Sequence, residues 1–316
     1  MNHHPAHGKR LAAIDLGTNT FHMQLVEVQS DGAYQTLERT RHFIKLAEDG
    51  IERIGNAPFA RALAAMQSFA EVMDRYRVKE YRAIGTAALR TAANGPDFLQ
   101  QVHDTTGLNI DIIDGDEEAR LIYEGVSAAL TYDEHTDVIM DVGGGSVEFI
   151  FATEKGVQWA RSFPVGVAVL RRKFHRHEPI TDEEVAALRG WLGEMLAPVL
   201  EVAQRLRPRR LIGASGSFDV LEMMLSKERI NAHHAVVDVA KFPQLLDRTQ
   251  RATFEERLKI EGLPADRADM IVVAFLLIDF VMEHFRTEQV DVVSFAMKEG
   301  ILREIIDAYA ATPSPQ

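Results

Sequence analysis

The 316-residue chain has no cysteine. This excludes disulfides, thiol nucleophiles and thiolate metal sites, and leaves any chemistry to carboxylates, imidazoles, hydroxyls and backbone. Long apolar runs are also missing. The most apolar stretch, Met270 to Met282, is 13 residues long and contains Asp279, whereas a bilayer-crossing helix takes about 20. No secretory signal is visible, because Met1 to Arg10 carries three histidines, Pro5 and two basic residues. Positive charge is in short supply: 35 Lys and Arg stand against 47 Asp and Glu, a net charge of -12. That balance argues against general nucleic-acid binding. A cytoplasmic protein with no nucleic-acid and no membrane partner is expected.

What is present is an α/β pattern. Strands are expected over 11–16, 21–28 and 33–41, with a turn at Ser30-Asp31-Gly32. Helices follow over 58–76 and 96–105, with strands at 81–85 and 110–113 and a turn entering a helix at 86–93. Asp114 caps a helix running from 115 to about 130. Next come a strand at 137–142 and a hairpin of 147–153 with 157–163. A long helical pattern over 185–206 is interrupted by Pro198, and a strand follows at 210–213. Helices at 218–226, 239–250, 254–259 and 265–284, a strand at 290–294, a helix at 298–309 and a frayed tail complete the pattern.

Two segments repeat. Asp15-Leu16-Gly17-Thr18-Asn19-Thr20 and Asp141-Val142-Gly143-Gly144-Gly145-Ser146 each close an apolar strand with Asp and open a glycine-containing turn, 126 residues apart. A repeat of nearly half the chain predicts two similar α/β lobes facing a cleft. The expected division is 1–125 for the first lobe and 126–297 for the second, with 298–316 returning to the first.

Glycine turns can aim consecutive N–H groups at an anion. An Asp beside such a turn repels phosphate unless a divalent cation lies between them, and Mg²⁺ accepts carboxylate and phosphate oxygens together. Asp141 and Glu148 flank the second turn and Asp15 the first, so these three are the candidate metal ligands. An Asp closing a strand can equally cap its own turn. Neither turn is a Walker A loop, since no Gly-Lys-Ser/Thr follows. Asp114 and Glu117 have capping-box spacing, which leaves Glu118 as the carboxylate with no structural task and a candidate base for an attacking water. Arg90, read as lying near a helix start, gains nothing from the dipole there. It suits a transferring phosphoryl group, or an ordinary salt bridge. Arg171, Arg172, Lys173 and Arg176 form the densest basic cluster, a candidate polyanion contact or a solvated surface; Arg205, Arg207, Arg209 and Arg210 form another. The histidine pairs lack a carboxylate framework and are assigned no metal.

Residues 13–23, Thr86-Ala87-Ala88-Leu89-Arg90, Gly115 to Arg120, Asp141 to Glu148, Phe163-Pro164-Val165-Gly166 and Gly213 to Ser217 together resemble, in order, the motifs of the exopolyphosphatase/guanosine pentaphosphate phosphatase family. The resemblance implies the actin/sugar-kinase/Hsp70-like superfold, two RNase-H-like lobes with an active cleft. It also implies Mg²⁺-dependent release of a terminal phosphate from inorganic polyphosphate or guanosine pentaphosphate. It makes Glu118 the water-activating base and Arg90 a phosphate ligand. Asp141 and Glu148 support the metal, and Gly17, Thr18, Asn19, Gly143, Gly144, Gly145 and Ser146 cradle phosphates. The expected assembly is a homodimer. The third glycine segment departs from the family's more Thr- and Gly-rich form, and no C-terminal helical domain of longer members is expected. A sugar or acetate kinase and an inactive polyphosphate sensor are the rival readings.

Overall fold

The computed structural model describes residues 8–29 and 33–310. The turn expected at Ser30-Asp31-Gly32, the histidines at 3, 4 and 7 and the tail beyond Ala310 lie outside them. Along the chain come β1 (Lys9–Leu16), β2 (Thr20–Val28), β3 (Tyr34–Phe43), α1 (Asn56–Tyr76), β4 (Glu80–Gly85), α2 (Ala87–Thr91), α3 (Gly95–Thr106) and β5 (Asp111–Ile112). Then follow α4 (Gly115–Ser127), β6 (Asp137–Val142), β7 (Val147–Thr153), β8 (Gly156–Phe163), α5 (Val167–Phe174), α6 (Asp182–Met195), α7 (Ala197–Leu206) and β9 (Arg210–Ala214). The remainder is α8 (Gly216–Leu225), β10 (Ser226–Asn231), β11 (His234–Val237), α9 (Phe242–Arg251), α10 (Phe254–Arg257), α11 (Ile271–Phe285), β12 (Gln289–Val293) and α12 (Met297–Ala310).

Contacts divide the chain into residues 1–113 with 297–316, and residues 114–296. In the first unit the strand order is β3-β2-β1-β4-β5. β1 pairs antiparallel with β2 and parallel with β4. Ile14, Leu16, Phe21, Met23 and Leu25 are buried with Met66 and Phe69 of α1 and Phe98 of α3. Left-handed Arg77 ends α1 and Gly107 ends α3, the usual way of stopping a helix. α12 packs on β1 and touches β2 and β4, burying Ile301 and Leu302.

The second unit has the order β10-β11-β12-β9-β6-β7-β8. β6 is buried along its whole length, which explains its near-continuous apolar sequence. α11 is buried on most sides, from Ile271 to Phe285, so its Asp279 carboxylate is met by Arg189 at 2.8 Å. Arg210 bridges the buried Asp137 (3.0 Å) and Asp291 (3.3 Å), with His234 Nε2 2.8 Å from Asp291. Arg257, fully buried, makes two 2.9 Å hydrogen bonds to Glu178 and two of 2.7 Å to the carbonyls of Ala252 and Ala268.

Three expectations are corrected. α4 packs on β7 and β8, so the division falls before it, at 113/114, and not at 125/126. The 185–206 pattern is two helices, α6 and α7, because Pro198 supplies no N–H to continue the ladder. β10 and β11 lie between the helices expected at 218–226 and 239–250, where no element is expected: β10 is exposed throughout, so no apolar alternation marks it, and pairing to β11 creates it.

Candidate active site

The second unit's turn is built by strand register. Val142 pairs with Val147, enclosing Gly143–Ser146, and the next pair outward is Asp141 with Glu148. Directly opposed residues of antiparallel strands share a face with Cβ atoms about 5 Å apart, so the two carboxylates are forced together. Both are buried, Glu148 at 1% exposure. α4 brings a third: Asp114 Oδ1 accepts from Glu117 N at 2.9 Å, and Glu117 grips Arg120 with two 2.7 Å bonds. Glu118, one position on, is buried. Close approach of α4 requires a residue without a side chain at its start, since a Cβ on Gly115 would lie 2.4 Å from Ser162 Cβ.

Burial, then the negative charges of Glu118 and Asp141, pushes Glu148 well above the ordinary carboxylate range. Hydrogen bonds from Ser162 and Ser146 oppose this rise, the Ser162 hydroxyl donating to Glu148 Oε1 at 2.7 Å. The donor set is all hard oxygen, and its members raise one another's cost of ionisation. A divalent cation such as Mg²⁺ is chemically suited to it, because positive charge relieves that repulsion and carboxylates are its usual protein ligands.

The first unit's turn follows the same plan. Leu16 pairs with Phe21 and encloses Gly17–Thr20, and the next pair is Asp15 with His22. Asn19 O accepts from Ile44 N (2.8 Å) and Lys45 N (3.1 Å), and Thr18 O accepts from Leu46 N (2.7 Å). Arg90 needs a correction. α2 is only five residues long and Arg90 lies in its last turn, so the dipole there does not oppose a cation. Its Nη1 donates to Ile113 O at 2.6 Å.

Gly17, Thr18, Asn19, Asp15 and Arg90 thus belong to the first unit. Glu118, Asp141, Gly143, Gly144, Gly145, Ser146 and Glu148 are brought together in the second. Another group that could hold a divalent cation is Asp133, Glu134 and His135, whose donor atoms lie within 4.8 Å of one another. Arg209 already binds Asp133 at 2.8 Å.

The basic cluster is split by its own packing. Arg171 turns to the Asp269 carbonyl (3.2 Å) and Glu178 (3.4 Å). Lys173 Nζ sits 4.2 Å from the Trp191 ring centre, and Arg172, Lys173 and Arg176 are all exposed. Arg209 and Arg210 are ion-paired with Asp133 and Asp137. Ser162 is the site residue that sequence reasoning missed. Counting back from the tip, where Thr153 pairs with Gly156, sets Glu148 opposite Arg161. A bulge between Phe151 and Ala152 shifts the register and puts Ser162 there.

The sequence pattern of the Ppx/GppA phosphatase family matches residues 25–308. Among solved structures, an exopolyphosphatase from Cytophaga hutchinsonii ATCC 33406 superposes with a TM-score of 0.89 at 32% identity, covering 95% of this chain and 98% of that one. A guanosine-5'-triphosphate,3'-diphosphate pyrophosphatase of Aliivibrio fischeri is 28% identical over 298 residues, 94% of this chain and 59% of that protein. Exopolyphosphatase 1 of Mycobacterium tuberculosis is 27% identical over 307 residues, 95% of this chain and 89% of that protein. The chain therefore spans about three fifths of the length of the Aliivibrio relative. The α/β arrangement of two mixed sheets with flanking helices is that of this group. Among the described residues no helix is long and apolar enough to cross a membrane.

Proposed function

We propose that this chain, which belongs to the Ppx/GppA phosphatase family, hydrolyses the terminal phosphoanhydride bond of inorganic polyphosphate. The observation that carries the reading is the burial of Glu118, Asp141 and Glu148 around a triple-glycine turn. Three carboxylates in such a place are costly to a fold and useful to a phosphoryl-transfer site. The shared order of five strands, β3-β2-β1-β4-β5 in one unit and β8-β7-β6-β9-β12 in the other, supports reading both as RNase-H-like lobes of the actin/sugar-kinase/Hsp70-like superfold.

In this reading Glu118 takes a proton from the attacking water at a carboxylate oxygen. The N–H groups of the Gly143–Ser146 turn, and those of Thr18 and Asn19, receive phosphate oxygens; Gly17 closes its own turn, its N–H donating to Thr20 O at 3.1 Å. Arg90 offers its guanidinium to the phosphoryl group, and Arg172, Lys173 and Arg176 are the exposed cations of the basic cluster, open to a longer anion. Asp141 and Glu148 would hold Mg²⁺, and Asp15 is the first unit's own candidate ligand. When bound, the ion supplies positive charge to the oxygens of the transferring group.

Glu118→Gln tests the reading. Phosphate release from polyphosphate should fall about 10²–10⁴-fold in kcat, and a rate near wild type removes Glu118 from the role of base. A second substrate, guanosine pentaphosphate, is favoured by the name of the Aliivibrio relative. Comparing kcat/KM for short polyphosphate, long polyphosphate and guanosine pentaphosphate at fixed Mg²⁺ decides between them. Light scattering tests the homodimer.

A further inference from the structure

We propose that the strip Ser162–Ala168 is the positioning element for the Gly143–Ser146 turn, with Gly166 as its critical residue. The proposal rests on the reading of that turn as a phosphate cradle. Three amides of the strip are spent on the three glycine carbonyls: Val167 N donates to Gly143 O at 3.0 Å, Ala168 N to Gly144 O at 2.9 Å and Gly166 N to Gly145 O at 3.2 Å. In a planar trans peptide the N–H of one residue points opposite to the C=O of the residue before it. Fixing the carbonyls of residues 143–145 therefore fixes the N–H groups of residues 144–146, and directs them away from the strip. Those are the amides a phosphate would meet. Without such an anchor, three consecutive glycines would sample many conformations at an entropic cost to any ligand that ordered them.

The approach is too close for a side chain. A Cβ on Gly166 would lie 2.4 Å from Gly144 C, Gly144 O and Gly145 C. All three are backbone atoms, so the turn itself would have to move. The same strip begins with Ser162, which holds Glu148 and abuts Gly115 at the start of α4. One continuous stretch thus sets the glycine turn, the Glu148 carboxylate and the helix that carries Glu118.

The first unit repeats the connection. Immediately after β3, the amides of residues 44–46 bind the carbonyls of Thr18 and Asn19, just as the residues after β8 bind the second turn. Two occurrences in matched places of two similar sheets argue for a function of the contact. A side effect of packing would not need to recur.

The test uses the full chain in three variants: Gly166→Ala, Ser162→Ala, and Gly190→Ala as a control at an α6 position where an added Cβ meets nothing within 4 Å. Folding is read by circular dichroism and thermal midpoint. Folded Gly166→Ala should lose about 10²-fold in kcat/KM, mainly through KM, and the amides of 143–146 should exchange hydrogen faster. Ser162→Ala should lose about tenfold in kcat with KM nearly unchanged, as expected for an outer partner of a site carboxylate. Gly190→Ala should match wild type. Wild-type kcat/KM, or unchanged exchange at 143–146, in folded Gly166→Ala overturns the proposal. If Gly166→Ala does not fold, wild-type kcat in Ser162→Ala overturns it. Should the wild-type chain release no phosphate from polyphosphate or guanosine pentaphosphate, the functional reading fails, and the exchange measurement still decides the positioning role.

Discussion

The two units share a sheet and differ in where charge is buried. β3-β2-β1-β4-β5 of the first corresponds in order and direction to β8-β7-β6-β9-β12 of the second, to which β11 and β10 are added. The matched hairpins enclose turns of equal length, and the matched pairs behind them are Asp15 with His22 and Asp141 with Glu148. One substitution at one register position turns an acid–imidazole pair into two opposed acids. Among the described residues, Glu299 is the buried acid or base of the first unit, while the second buries Glu118, Asp137, Asp141, Glu148, His175, His234, Arg257 and Asp291. Backbone pairing is indifferent to this contrast. Side chains at matched positions decide which hairpin brings two carboxylates together.

The strongest way to break the comparison is to neutralise both strand-end acids. Asp141→Asn should lower kcat/KM for phosphate release by about 10³-fold, equivalent to about 4 kcal/mol of barrier, and Asp15→Asn by much less. Equal losses would make the two turns chemical equals. In the same assay Glu148→Gln should raise the Mg²⁺ needed for half-maximal rate about 10–100-fold, and His22→Gln should leave it unchanged.

Stability gives the next contrast. Removing Arg257 strands the carbonyls of Ala252 and Ala268 inside the second unit and leaves Glu178 to Arg171, so Arg257→Ala should cost about 2–5 kcal/mol in urea unfolding. A loss under 1 kcal/mol would show that the buried network is dispensable.

The pH dependence is smaller and has a definite sign. Burial, then the nearby Arg171, holds His175 down from 6.5 to about 4. The unfolded chain thus binds a proton that the folded chain refuses, so this stabilisation is complete above about pH 6.5 and is lost as pH falls toward 4. His175→Phe should flatten the thermal midpoint over that window, and an unchanged slope would assign it to other groups. Smallest is the helix cap: Thr181 and Glu184 form a capping box at the start of α6, whereas α1 starts at Gly55 without a side-chain cap. Thr181→Ala should cost about 1 kcal/mol by the same urea measurement.

Much of this was legible in the sequence because it lies in local pattern. The two Asp-then-glycine turns announce the duplication, and Asp114 with Glu117 marks the helix start that singles out Glu118. What was not legible depends on partners distant along the chain. Ser162 is hidden by a bulge that shifts the count by one residue. β10 has no pattern of its own, and Arg171 looks like surface charge until Asp269 and Glu178 are seen beside it. Arg90 was misplaced for a different reason. A one-turn helix has no room for its two ends to differ, and sequence gives short helices poorly defined limits.

The return of α12 to β1 has a consequence for synthesis. Residues 114–296 are contiguous and can complete their own contacts once Ala296 has emerged. The first unit, although made earlier, keeps the apolar face that Ile301 and Leu302 cover open until residues 297–310 arrive. Of the two units, the one that begins earlier in the chain is therefore the one completed later, and in the interval the face of β1 that α12 covers stays open.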